Sequence, residues 1–165
     1  MSNLITKDEV VNMFFNRNVD SSILKSTMIE LSSFKYLNTY LGDLYNDIIE
    51  NENGDYTDFI EDYIKPVLSW AVLYDNFEYI TLNITDKGII QMVVEGTANL
   101  IGHDARYDFK MEIKRNLFSF IHKMQNKALK EKEDNNELFK NYNPESRPSL
   151  MTFREGNIRF NIRPY

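Results

Sequence analysis

The sequence predicts a mainly α protein: a bundle of four to five helices around a long, kinked central helix. Three observations carry this expectation. Apolar residues recur at steps of three and four over most of the 165-residue chain. Helix start and stop signals bracket those runs. Strand-like alternation is confined to two short segments, about residues 80–94 and the last fifteen residues. The expected organisation is a helical domain over residues 1–142 and a C-terminal arm over residues 143–165.

The first helix opens on a capping box, Thr6 with Glu9, followed by the apolar stripe Val10, Met13 and Phe14. It should stop near Asn16–Asn18. Asp20 or Ser21 can cap a second helix, in which Ile23, Met28, Leu31, Phe34, Leu37 and Leu41 recur at helical spacing. Gly42 interrupts that run. A third helix then carries Leu44, Tyr45, Ile48 and Ile49, and Asn53-Gly54 reads as its C-terminal cap.

The central helix shows the most regular pattern. Tyr56, Ile60, Tyr63, Val67, Trp70, Tyr74 and Phe77 alternate at steps of four and three, and this aromatic stripe reads as core packing. Pro66 lies inside it, where a proline removes one hydrogen bond and crowds the preceding turn. The stripe keeps its phase across Pro66, which predicts one kinked helix rather than two. Ile80, Leu82 and Ile84 then alternate with polar residues. Asp86-Lys87-Gly88 is a turn signal and Ile89–Val94 is β-prone, so a small β-hairpin insertion is expected at about 80–94. From about Asp104 to Glu133, Phe109, Ile113, Leu117, Phe120, Met124 and Ala128 line one face of a long helix, widened by Phe118, Ile121 and Leu129. Roughly 30 residues span about 45 Å, long for so small a bundle, so part of this helix should project or pack on a neighbour.

Lys130–Asn136 reads as a solvated helix end, and Asn143–Ser149, with Pro144 and Pro148, as an extended linker. In the arm, Gly156-Asn157 signals a two-residue turn. That turn pairs Phe153 with Phe160 and Met151 with Ile162, an apolar face that also includes Ile158. It also sets Arg154 opposite Arg159, with Arg163 beyond. Like charges facing across a ladder destabilise it. The arm is therefore expected to dock on acidic surface of another subunit or protein, through Met151, Phe153, Arg154, Ile158, Arg159, Phe160, Ile162 and Arg163.

The charge map supplies the complement. Between Asp43 and Asp62 lie eight acids and no base. Such a run is ordinarily a solvated surface; seven of the acids, Asp43, Asp47, Glu50, Asp55, Asp58, Glu61 and Asp62, form the candidate acidic surface, whose functional reading is a docking patch or the wall of a channel. The whole chain carries a net charge of −6, which argues against a whole-domain nucleic-acid footprint.

Other chemistry is missing from the sequence. There is no cysteine, which excludes disulfides, thiolate metal sites and cysteine catalysis. The two histidines, His103 and His122, could not build a zinc site without carboxylates. No phosphate loop, dinucleotide fingerprint, nucleophile elbow or H-E-x-x-H motif occurs. The acidic stretch around Gly54 fails as a calcium loop, because Ile49 would have to be its first ligand. The expectation is a protein that is not an enzyme and needs no cofactor or metal. The longest apolar stretches, Val67–Tyr74 and Ile89–Val94, fall far short of the ~20 residues of a membrane helix. The N-terminus has no signal-peptide pattern, so synthesis in a reducing cytoplasm is expected.

The order of these pieces resembles small helical head–tail connector proteins of tailed phages. Leu41-Gly42-Asp43-Leu44-Tyr45 resembles a helix start of these proteins, Tyr63–Tyr74 their central helix, and Ile84–Ile90 the loop that follows it. The likeness is nearest to neck ring proteins of crAss-like phages and covers about residues 20–133, leaving out the C-terminal hairpin. It implies a structural virion protein of the phage neck, made in the host bacterial cytoplasm. Such proteins form homo-oligomeric rings, commonly twelvefold, that join the portal to adjacent neck and tail proteins. They continue the channel through which genomic DNA passes without specific binding. The alternative is a monomeric assembly or tail-completion adaptor, or another helical interaction protein.

Overall fold

The computed structural model describes residues 4–14, 20–51, 54–80 and 103–144. Among these residues the protein is mainly α-helical and contains no strand. The expected insertion beyond Ile80 and the whole C-terminal hairpin lie outside them.

Helix α1 spans Lys7–Phe14. Its capping box forms as the sequence requires: the Thr6 amide donates to Glu9 Oε2 at 2.7 Å, and the Glu9 amide donates to Thr6 Oγ1 at 3.2 Å. Asp20 does cap a helical turn, but a short 3-10 one, Ser21–Ile23. The long second helix, α2, starts later. It comprises Ser26–Ser32, a wide π turn over Ser33–Asn38 and a final α turn, Thr39–Leu41. Gly42 ends it with φ 59° and ψ −124°, and the same glycine starts α3, Asp43–Glu50.

Helix α4 runs Thr57–Phe59, through a second π turn over Ile60–Ile64, into Lys65–Asp75. Pro66 therefore sits directly after a π turn. The wider turn relieves the contact between the proline ring and the preceding carbonyls, so the chain stays helical from Thr57 to Asp75. The extra residue in that turn also shifts the buried face. Of the aromatic stripe, Tyr56, Val67 and Phe77 are buried, whereas Ile60, Tyr63, Trp70 and Tyr74 lie at its edges. Ile64, Leu68, Ala71 and Val72, off that stripe, are as fully buried as Val67. A helix buried nearly all round belongs at the centre of a bundle, and α4 packs against α1, α2 and α5, the last spanning His103–Glu133. Ile80, expected to open a strand, closes a further helical turn: its amide donates to the Asn76 carbonyl at 2.9 Å.

The 31 residues of α5 extend about 46 Å. Ile113, Leu117, Ile121, Met124 and Ala128 are its fully buried residues. Phe109 and Phe120, expected on that face, are displaced to its margin: Phe109 is 41% exposed and Phe120 stacks on Trp70. After α5, the 3-10 turn Glu137–Phe139 folds back, with Phe139 edge-on to Tyr56 and Phe59.

Three polar ties fix the helices. Lys65 reaches Glu9 across to α1 at 2.5 Å and also pairs with Glu61. The Tyr56 hydroxyl donates to the Leu138 carbonyl at 2.6 Å. Asp75 accepts from Lys35 Nζ at 2.7 Å and from the buried Tyr36 hydroxyl at 2.9 Å, joining α2 to α4.

Burial, and then the Asp75 carboxylate, push the Tyr36 phenol well above its usual value of 10.0. Above pH 10 the unfolded chain releases this proton while the folded chain keeps it, so stability falls as pH rises through that range. One such group contributes a slope of about 1.4 kcal/mol per pH unit. Tyr36→Phe should flatten the alkaline limb of the stability–pH curve by that amount. Urea titrations from pH 9 upward provide the check, and an unchanged slope would contradict a buried phenol that holds its proton in the folded chain.

Candidate docking surfaces

The acidic residues fall into two groups. Asp43 begins α3, where a carboxylate suits the positive end of the helix dipole. Asp47 and Glu50, on the same helix, line a shallow depression of about 510 Å³ together with Asn51, Tyr56, Glu137, Lys140 and Asn141. Asp55 lies beside it, held by Asn51 Nδ2 at 3.1 Å. Tyr56 senses this group: burial raises its phenol first, and the carboxylates of Asp47 and Asp55 raise it further. The second group, Asp58, Glu61 and Asp62, lies at the start of α4. All three are exposed, and Glu61 pairs with Lys65.

The depression is polar rather than uniformly acidic. Lys140 enters it and lies 3.6 Å from Glu137, and Asn141 donates to Asp47 at 2.9 Å. Among the described residues no group of three or more histidines and carboxylates is arranged to hold a metal ion. The arm residues Met151, Phe153, Arg154, Ile158, Arg159, Phe160, Ile162 and Arg163 lie outside the described residues.

Two surface features were not legible from spacing alone. Leu31 and Phe34, expected in the core, are 70% and 65% exposed. Ile29, Ser32 and Tyr36 are buried instead, alongside the expected Leu37 and Leu41, because the π turn over Ser33–Asn38 changes the register between the two parts of α2. A second aromatic surface lies where α4 meets the start of α5. There Tyr74, Glu78, Arg106, Tyr107, Lys110 and Met111 surround a cavity of about 340 Å³.

No family model, curated protein or solved structure matches the chain.

Proposed function

We propose that this protein is a structural ring subunit of a tailed-phage neck, set between portal and tail and continuing the DNA channel. The order of its helices carries the reading. A helix broken at Leu41-Gly42, a central helix containing Tyr63–Tyr74 and a long following helix occur in the sequence order that the connector resemblance implies. The exposed apolar residues support the same reading. Leu31 and Phe34 on α2 and Tyr107 and Phe109 on α5 are exposed on different helices, and a ring subunit needs two different contact surfaces.

On this reading the protein acts by assembly: it holds itself in a ring, binds the portal and the next neck protein, and lets DNA pass. A wall carrying net negative charge does not retain a polyanion. The acidic segment and the arginine-rich arm would serve subunit or portal contacts in the virion.

The test is the mass of the purified protein in solution, alone and mixed with the portal protein of the same genome. A defined ring-sized complex in either sample is the expected result. A strict monomer that ignores the portal would overturn the ring and favour a monomeric adaptor.

A further inference from the structure

The longest helix presents an exposed face whose charge is opposite to that of the chain as a whole. From Ile113 to Lys130, α5 contains Lys114, Arg115, Lys123, Lys127 and Lys130 and no acid. Lys127 is committed to Glu131 at 2.5 Å within the helix. Arg115, Ser119, His122, Lys123, Asn126 and Lys130 are exposed and recur at the spacing of one helix side. This side lies opposite the buried row Ile113, Leu117, Ile121, Met124 and Ala128.

The described residues satisfy their own ion pairs elsewhere: Lys35 with Asp75, Lys65 with Glu9 and Glu61, Lys110 with Glu78, and Lys127 with Glu131. Among them, no ion pair engages Arg115, Lys123 or Lys130, and none engages Asp43, Glu50, Asp58 or Asp62. One subunit therefore carries a basic helix face and an acidic one that do not meet within the described fold.

The spacings of the two faces also match. Lys123 and Lys130 are seven residues apart on α5, and Asp43 and Glu50 are seven residues apart on α3. At 1.5 Å per residue each pair spans about 10.5 Å along its axis. Two helices packed side by side could thus bring both bases against both acids at once.

We propose that the exposed basic face of α5 docks on the α3 acidic face of a second copy, Lys123 and Lys130 meeting Asp43 and Glu50. This rests on the ring reading and names its subunit contact. One acidic and one basic surface on different parts of the same subunit make a head-to-tail contact, which repeats around an axis until it closes. A net charge of −6 per chain otherwise drives copies apart, so the complementary faces also select the relative orientation in which subunits meet. The contact would be polar and screened by salt.

The experiment compares four full-length proteins by light scattering coupled to size exclusion. They are the wild type, a basic-face variant (Lys123→Glu with Lys130→Glu), an acidic-face variant (Asp43→Lys with Glu50→Lys) and the quadruple variant that combines them. All four are first checked by circular dichroism and thermal melting. The wild type should assemble, and raising salt from about 0.05 M to about 0.5 M should shift it toward monomer. Each folded single-face variant alone should lose the large species. Mixing the two variants should restore assembly, with the two alternating: the acidified α5 of one meets the basic α3 of the other, whose native α5 meets the native α3 of the first. The quadruple variant, whose charges are exchanged, should recover assembly. If a variant melts early, the neutral pair Lys123→Gln with Lys130→Gln takes its place and should weaken assembly in the same direction.

A wild type that assembles equally well with either face reversed would overturn the docking and leave the ring standing. So would variants that lose binding to a duplex DNA oligonucleotide but still assemble, which would make the α5 face a polyanion surface. A closed dimer that requires both faces would support the docking and overturn the ring. A wild type that stays monomeric with and without portal would overturn both.

Discussion

Replacing Leu68 with alanine should destabilise the protein by about 3 kcal/mol, within the usual range for a leucine deleted from a packed core. Leu68 has no exposed surface and lies on α4, the helix that α1, α2 and α5 pack against. The lost methyl groups forfeit their transfer energy, and three surrounding helices cannot all close on the space left behind. Against a total stability of about 5–15 kcal/mol, the loss is large, and the melting temperature should fall by about 10 °C for a chain of this size. The same substitution at Leu31 is the internal control. Leu31 is 70% exposed on α2, so Leu31→Ala should change stability by no more than about 0.5 kcal/mol. Sequence spacing places Leu31 in the core and leaves Leu68 off the central stripe, so the contrast tests the register of the two helices directly. Urea midpoints for the pair would decide it. Equal costs at the two sites would mean that the π turn in α2 does not rotate Leu31 outward.

That contrast marks how far the sequence could be read. The helices were legible because their signals are local. Thr6 and Glu9 cap α1 through their own side chains, Gly42 breaks a run of apolar spacing, and the repeat of α5 extends over 31 residues. What spacing could not show was phase. Each π turn, at Ser33–Asn38 and at Ile60–Ile64, inserts a residue into the helical count. Past that point a pattern read at 3.6 residues per turn points to a neighbouring side. Trp70 and Tyr74, past the turn in α4, moved for that reason from the centre of the core to its edge, and in α2 the turn sets Ile29 and Ser32, not Leu31 and Phe34, in line with the buried Leu37 and Leu41. Pro66 was the available clue on α4, since a helix that continues through proline must widen or bend nearby. No comparable residue marks the turn in α2.

The candidate surfaces were legible in part. The acidic run from Asp43 to Asp62 is plain in the sequence, but its division is not. Asp47, Glu50 and Asp55 gather near Tyr56, whereas Glu61 pairs with Lys65, which also reaches Glu9. Which acids remain exposed depends on contacts between residues more than fifty positions apart, such as Lys65 with Glu9. The basic face of α5 had a readable signal, eighteen residues without an acid, although charge spread along a helix identifies a face only once the buried row is known.

Replacing Gly42 with alanine should cost about 3 kcal/mol, at the upper end of what a strained backbone position costs. At φ 59° and ψ −124° the residue lies in the mirror image of the extended region, where a Cβ collides with its own backbone and only glycine is at ease. Two effects compete. Alanine favours a helix over glycine by up to about 1 kcal/mol, which would help if α2 and α3 could fuse into one straight helix. Fusion is blocked by packing. Leu41 on one side of the junction and Leu44, Tyr45 and Ile48 on the other are all buried, and a straight helix would carry α3 away from the core. The strain therefore outweighs the propensity. Gly54 offers a graded comparison. Its φ of 77° also disfavours a side chain, but the residue is exposed in a loop, and an added Cβ would meet only Thr57 Oγ1 at 3.3 Å. Gly54→Ala should cost about 1 kcal/mol, within the range for a single left-handed residue. Chemical denaturation of both variants gives the ordering. A Gly42→Ala protein as stable as the parent would mean that α2 and α3 join without the positive φ, and the break on which the order of the helices depends would be lost.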